Sequence, residues 1–421
     1  CFQAVPLMGV RVNLAFACVA VFTLLPSAYG QGKGGLAGNA PVDSVVYHEI
    51  DAPLERLSSL GFLLGDYVAV PEDSTTLRPD LVYEYRIAQL NQRSVIPLSF
   101  HPLVRKYIRI YTVERRGQVA IMCGLSKLYF PIFEELLDRY RLPLELVYLA
   151  AVESALNPLA VSKSGAVGLW QFKLNTGKML NLHVDNFVDD RMDPVRSTEA
   201  ACSYLEYLHR LFDDWLLALA AYNAGPGAVQ RALLRAGGKK DFWDLLPYLP
   251  EAAQNYVPAF IAAVYVFHFA PEHGIKPQSP RIDYKILDTV CLRDAVSFEA
   301  VSRWVGTPIE ILHFLNPRYR QGYVPFSQDT LQCLLLLRKD IPLFIENESR
   351  IYAQSYRVVQ SPYPYALSKG KRRVEHVVKR GEYLHKIALQ YGCTVDELRR
   401  WNGDRATLQP GERLEIWVDV P

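Results

Sequence analysis

Apolar residues recur at helical spacing from residue 101 to residue 270, and no stretch in that interval alternates convincingly as a strand. Residues 101–140 divide into two or three helices. The next helix enters at Pro143 and runs to the segment VES that ends at Ser154. Asp193-Pro194 is a cap and first-turn pair that opens another. The apolar run from Trp215 breaks at 224–227 (AGPG), resumes, and stops at Gly237-Gly238, and a last helix carries AAQNYVPAFIAAVYVF. The body is therefore expected to be all-α with a large core. Upstream, residues 31–46 are Gly-rich and read as flexible, and 47–98 read as a loosely structured arm packed on the main domain, with a short helix over 79–93. The tail changes character. Phe298, Val301, Gly306, Ile309, Leu312 and Asn316 recur 86 residues later as Leu384, Ile387, Gly392, Val395, Leu398 and Asn402. This internal repeat predicts two small α+β modules, each a β-like run, two short helices and a second β-like run. Between the copies, residues 340–373 are rich in Tyr, Ser and Lys/Arg and read as a linker.

One polar residue interrupts this pattern where chemistry is expected. Leu146, Leu149, Ala150 and Glu153 share one helix face, so the carboxyl continues an apolar stripe. It also stands near a helix C-terminus, where the dipole disfavours negative charge. Both effects raise a carboxyl pKa, as a general acid near neutral pH requires. The other reading is a boundary glutamate that only ends the helix, and this segment alone does not separate the two.

Composition narrows the classes. The chain has 421 residues, long enough for two to four domains, with 21% charged residues, 50% hydrophobic residues and a formal net charge of +2. Neither disorder nor a nucleic-acid partner is indicated, and 25 tyrosines are only a weak pointer to carbohydrate. Met8 and Arg11, an apolar run over 13–25 and the small residues Ala28 and Gly30 read as a signal peptide over 8–30. Export to the periplasm follows as an expectation. Of seven cysteines, Cys123, Cys202, Cys291, Cys333 and Cys393 would remain after cleavage. They show no C-x-x-C spacing and no companion His cluster, so neither a metal nor a cofactor is expected. Cys291 with Cys333 is the one disulfide pair entertained.

Three further segments bear on Glu153. The loop AVSKSGAVGLWQF carries Gly165 and Gly168, which let a backbone turn and approach a ligand, and Ser162 and Gln171, which can bond hydroxyl or acetamido oxygens. The same glycines are equally readable as plain turns. Tyr222 continues an apolar helix stripe and could be core, but the abrupt helix stop after it places Tyr222 and Asn223 at a cleft edge. Asn255-Tyr256-Val257-Pro258 sets another aromatic near a helix start.

Four ordered motifs over about 110 residues carry a resemblance: the run from Glu153 through LWQF, DDRMDPVRSTEAA from Asp189, ALAAYNAGPG from Ala218, and NYVP from Asn255. Together they resemble the lytic transglycosylase family, a lysozyme-like superfamily, in its membrane-bound D type with C-terminal LysM repeats. Residues 374–418 resemble a LysM module. The copy at 288–338 departs from that pattern, with Arg293-Asp294-Ala295 at the first turn and Pro308 and Pro317 inserted.

The resemblance implies a mainly α, lysozyme-like transglycosylase domain over 101–275 after an arm over 31–100. A degenerate LysM-like module over 286–339, the linker 340–373 and a glycan-binding LysM domain over 374–419 would follow. It also implies a peptidoglycan lytic transglycosylase acting on N-acetylmuramic acid/N-acetylglucosamine strands. Glu153 would be the catalytic acid/base, Ser162 and Gln171 would contact the muramyl sugar, and Tyr222 would orient its acetamido group or Glu153. Asn223 and Tyr256 would shape the cleft. Asp185, Asp189, Asp190 and Asp193 would cap and order a loop. Lys173 stands where many relatives carry Met. The alternatives are a hydrolysing goose-type lysozyme and a non-catalytic peptidoglycan-binding protein.

Overall fold

The computed structural model describes residues 52–63, 78–326, 331–359 and 372–379, and within 382–418 positions 382, 384, 387, 391, 393, 395–403 and 408–418. The signal-peptide and Gly-rich expectations lie outside the described residues.

The helical body is organised around one helix, Glu251–Phe269, whose residues 255–266 are buried on every side. Ala253, Ala259, Ala262 and Ala263 keep its surface low, so neighbours approach closely, and a helix apolar all round belongs at the centre of a core. Around it lie Pro102–Arg109, Val147–Ser154 and Trp215–Ala224. The long helix Arg116–Arg139 packs on Pro194–Phe212 and on Val147–Ser154. Of the two or three helices expected over 101–140 two form, joined by a π-helical turn, Ile110–Glu114. Asp193 caps its helix as expected, accepting from the backbone N–H of Val195 and Arg196 with Pro194 in the first turn. The break after Ala224 is also as expected: Gly225 takes φ +81° and Pro226 starts Pro226–Arg235. Among the described residues of 101–270 the only β pairing is a few isolated bridges.

The arm packs on the main domain and carries a helix at 80–91 as expected, but its first part is ordered rather than loose. Leu54, Leu57, Leu60 and Leu63 are 0–2% exposed and belong to the main core, as do Tyr83 and Ile87 of the helix Asp80–Asn91. A 3₁₀ stretch, Arg56–Leu63, replaces loose coil. Four leucines at spacings of three lie on one face of such a helix, and that face is what the core accepts.

The first tail module opens with β1 (Leu287–Cys291), antiparallel to β4 (Cys333–Leu337), and Cys291 pairs with Cys333 both in register and as a disulfide. Inside that frame, β2 (Val296–Ser297) pairs with β3 (Tyr323–Val324), and the helices Phe298–Val305 and Ile309–Leu315 lie between them in the chain. The last module pairs Arg372–Val377 with Arg413–Val418 around the helix Val395–Asn402. The repeat holds at atomic level. Asn316 bonds the Leu312 carbonyl and both backbone groups of Leu335, and Asn402 bonds the Leu398 carbonyl and both backbone groups of Glu415.

The linker is corrected in part. Residues 340–373 do not all connect modules, because Ile341–Glu346 and Glu348–Val359 are helices of the first module. Phe344 and Ile351 enter its core, Ser355 Oγ accepts from Ser297 N at 2.9 Å, and Gln354 accepts from Trp304 Nε1 at 2.9 Å. Composition concealed this, since the buried residues of those helices are few and widely spaced. Among the described residues no helix is long and apolar enough to cross a membrane.

Candidate active site

The helix that presents Glu153 is short. A 3₁₀ turn, Leu144–Leu146, follows Pro143, and the α-helix proper is Val147–Ser154. Leu146, Leu149 and Ala150 are fully buried, as their stripe predicts. Ala155 and Leu156 both take left-handed φ, +52° and +62°, and stop the helix one residue after Glu153. Two consecutive non-glycine residues in that region are uncommon, each costing on the order of 1 kcal/mol, so the surroundings must hold them. Ser154 supplies part of that hold: its hydroxyl reaches back to the Ala150 carbonyl at 3.0 Å and donates across to the Leu169 carbonyl at 2.9 Å.

Glu153 is therefore presented from the last turn of a buried helix. Desolvation pushes its carboxyl up from the ordinary glutamate range to about 7, and a hydrogen bond from the Tyr256 hydroxyl to Oε1 works against that rise. No other charged group contributes to the shift. Tyr256 is 3% exposed and sits in the second turn of the central helix. Burial, first, and then the nearby Glu153 raise the hydroxyls of both Tyr256 and Tyr222 well above the ordinary tyrosine range, so each remains a neutral donor.

The wall beside the carboxyl is the loop over 160–172. Val167 bridges Val161 on one side and Phe172 on the other, and Ser162 N donates to the Ala166 carbonyl at 2.8 Å. Gly165 and Gly168 take φ of +78° and +80°. Gly168 needs to be glycine on a second count, because a Cβ there would lie 2.1 Å from the Arg191 carbonyl oxygen. Trp170 is fully buried and donates from Nε1 to Thr198 at 2.8 Å, and Tyr222 donates to the Trp170 carbonyl at 2.9 Å. Behind the loop Arg191 donates to the Phe172 carbonyl at 3.2 Å, while Asp189 grips its guanidinium through two bonds of 2.9 and 2.7 Å.

The expected site residues thus fall into three groups. Tyr256 meets Glu153 directly. Gln171, at φ +49°, lies in the loop and spends its amide nitrogen on the Gly168 and Ala160 carbonyls, and Tyr222 holds that loop by its Trp170 bond. Ser162 accepts from the Ala166 N–H and lies 3.1 Å from Ser164 Oγ, and Asn223 is exposed in the last turn of its helix; no bond joins either to Glu153. Of the two alternatives expected for Tyr222, the structure gives the orienting of Glu153 to Tyr256 instead. Sequence reading also passed over Ser154, Thr198 and Arg191. Their signal was proximity to residues already singled out, since each stands in or beside a recognised motif.

Comparison with known proteins follows the same divisions. A family model described as the transglycosylase SLT domain matches residues 131–244, one for the lytic transglycosylase MltD LysM-like domain matches 286–353, and one for the LysM domain matches 376–417. The second match extends past 340, in keeping with the helices found there. The membrane-bound lytic murein transglycosylase D of Escherichia coli is 28% identical over 335 residues, covering 66% of this chain and 73% of that protein. The membrane-bound lytic murein transglycosylase F of Alcanivorax borkumensis is 32% identical over 239 residues, 45% of this chain and 48% of that one. Among solved structures, the 70 kDa soluble lytic transglycosylase of Escherichia coli aligns at 19% identity and a TM-score of 0.31, over 55% of this chain and 43% of that one. With an SLT domain ahead of an MltD-type LysM-like domain and a LysM domain, the chain is a homologue of membrane-bound lytic murein transglycosylase D.

Proposed function

We propose that the chain is a peptidoglycan lytic transglycosylase in which Glu153 is the single catalytic acid/base. The observation that carries this reading is the isolation of that carboxyl. Glycosidases of the usual kind flank the scissile bond with two carboxylates about 5–9.5 Å apart. Here no second carboxylate contributes to the shift of Glu153. The acids of the neighbouring motif are spent elsewhere: Asp189 on Arg191, Asp190 on Arg196 and Arg318, and Asp193 on a helix cap. A lone group must both give and take a proton, and a pKa of about 7 suits both halves near neutral pH.

In the first half, the Glu153 carboxyl protonates the glycosidic oxygen between N-acetylmuramic acid and N-acetylglucosamine, and the C1–O bond breaks. The C2 acetamido oxygen stabilises the oxocarbenium. In the second half, the Glu153 carboxylate takes the proton of the C6 hydroxyl as that oxygen bonds C1, leaving a 1,6-anhydromuramyl end. The proton returns to Glu153 and no water is consumed. Tyr256 holds the carboxyl in place. Gln171, through its amide oxygen, and Ser162 contact the muramyl sugar, with Tyr222 and Asn223 bounding the cleft. Residues 374–419 anchor the enzyme to glycan strands. A periplasmic address is supported by the apolar segment near the N-terminus and by the Cys291–Cys333 disulfide, which belongs to an oxidising compartment.

Digestion of purified peptidoglycan followed by mass spectrometry tests this reading. Anhydromuramyl ends are expected, and Glu153→Gln should abolish them. Reducing muramyl ends would mean hydrolysis instead, and undiminished activity in the variant would remove Glu153 from the role.

A further inference from the structure

The contact between the helical domain and the first tail module is not a loose tether. The Asp189 N–H donates to the Arg318 carbonyl at 2.8 Å, and the Arg320 N–H donates to the Phe187 carbonyl at 2.9 Å. Val188 and Tyr319 form an isolated antiparallel bridge, so backbone pairing joins the module to the 185–190 segment. Arg318 then crosses the seam, its guanidinium 2.7 Å from Asp190 and 3.6 Å from Asp193, with a side chain only 17% exposed. Arg320 and Gln321 add bonds to the carbonyls of Asp185 and Asn186 at 3.1 and 2.7 Å.

What this seam grips is the segment that supports the cleft. Asp189, bonded to Arg318 through its backbone, holds Arg191 through its carboxylate, and both side chains are nearly sealed at 2% and 7% exposure. Arg191 in turn bonds the Phe172 and Gly165 carbonyls, at 3.2 and 3.4 Å, and Gly168 rests on its backbone. Asp193 starts the helix whose Thr198 holds Trp170. The Arg318 backbone carbonyl thus reaches the loop over 160–172 through the buried Asp189–Arg191 pair, while its guanidinium, set against Asp190 and Asp193, braces the start of the helix that holds Trp170.

We propose that Arg318 is a positioning residue for the glycan cleft: the LysM-like module is a working part of the catalytic unit, holding the Ser162–Gln171 wall through Asp189, Asp190 and Asp193. This rests on the function proposed above only for what the cleft binds. A planar guanidinium facing two carboxylates at different angles fixes orientation in a way that an ammonium does not.

The test uses the full chain, with soluble glycan strands as substrate and hydrogen exchange as a second readout. Arg318→Ala should raise KM about fivefold to tenfold, leave the pH at which kcat/KM falls unchanged because Glu153 and Tyr256 are untouched, and be partly restored in Arg318→Lys. The loop amides of Ala166, Val167, Gly168 and Gln171 should exchange at least tenfold faster, with those of the helix Glu251–Phe269 unchanged. Removing one partner of a buried ion pair can loosen a whole domain. If it does, the milder seam variant Arg320→Ala/Gln321→Ala decides on the same two readouts. Unchanged KM together with unchanged loop exchange overturns the proposal and leaves the module a passive neighbour. Exchange needs no substrate, so a wild-type chain that forms no anhydromuramyl ends would sink the activity while this coupling remained measurable.

Discussion

At the scale of single residues, the carboxyl and the phenol that holds it are separable by titration. The Tyr256 bond lowers the Glu153 pKa, so Tyr256→Phe should raise it above its value of about 7. A hydrogen bond to a charged group is worth about 1.5–3 kcal/mol, which corresponds to a rise of about one unit or more. The step needs protonated Glu153, so the alkaline fall in kcat/KM should move upward by that amount, while kcat drops because the carboxyl is no longer held. An unshifted profile would mean that Tyr256 does not touch the ionised form. Stability reports on the same group. A carboxyl with a raised folded pKa stays protonated in the folded chain between pH 4.5 and about 7 while the unfolded chain has released its proton. Stability therefore falls as pH rises through that window and levels off above it. Glu153→Gln removes the penalty, so the variant should be more stable than wild type at pH 8, by about 3 kcal/mol on 1.36 kcal/mol per unit. The gap should close by about pH 4, as thermal melts at the two pH values would show.

At the scale of elements, the loop over 160–172 shows how two glycines of similar φ differ in consequence. Gly165 faces open space, so Gly165→Ala should cost only the backbone term, about 1 kcal/mol. Gly168→Ala carries that term and also drives a methyl into the Arg191 carbonyl, so about 3 kcal/mol is expected together with a displaced cleft wall. Denaturant midpoints of the two variants check the ranking, and equal losses would mean that the Gly168–Arg191 contact relaxes freely. Helix periods, the Asp193 cap and the break at Gly225 were legible in the sequence because each is a local signal. The order of the arm around 54–63 and the helices at 341–359 were not. The surfaces that bury them lie elsewhere in the chain, and in 341–359 the buried residues are few and widely spaced.

At the scale of the whole molecule, three clusters of buried side chains divide the work. Among the described residues, one runs from Leu54 through the helical body and takes in Leu287, Phe314 and Leu315 of the LysM-like module, a second fills the rest of that module together with Val188, and a third fills the last module. The seam through Arg318 joins the second to the first, while the third keeps a core of its own. Deleting residues 374–421 should therefore weaken retention on insoluble peptidoglycan in a pull-down and leave turnover of soluble glycan strands unchanged. A loss of turnover would mean that the last module also shapes the cleft.

The sequence by itself determined the helical body, the repeat with its paired asparagines, and the glutamate set on an apolar stripe. All three follow from short-range periodicity or from motifs that a chain carries in order. Only the tertiary structure decided that Tyr256 rather than Tyr222 holds Glu153, across 103 residues of chain. It alone showed that Asp189 and Arg191 buttress the loop from behind, and that the Arg318 carbonyl, beyond the central helix, accepts from the Asp189 N–H. Those choices depend on which buried polar groups find partners when distant elements close, and a desolvated carboxyl accepts whichever donor the fold delivers within bonding distance.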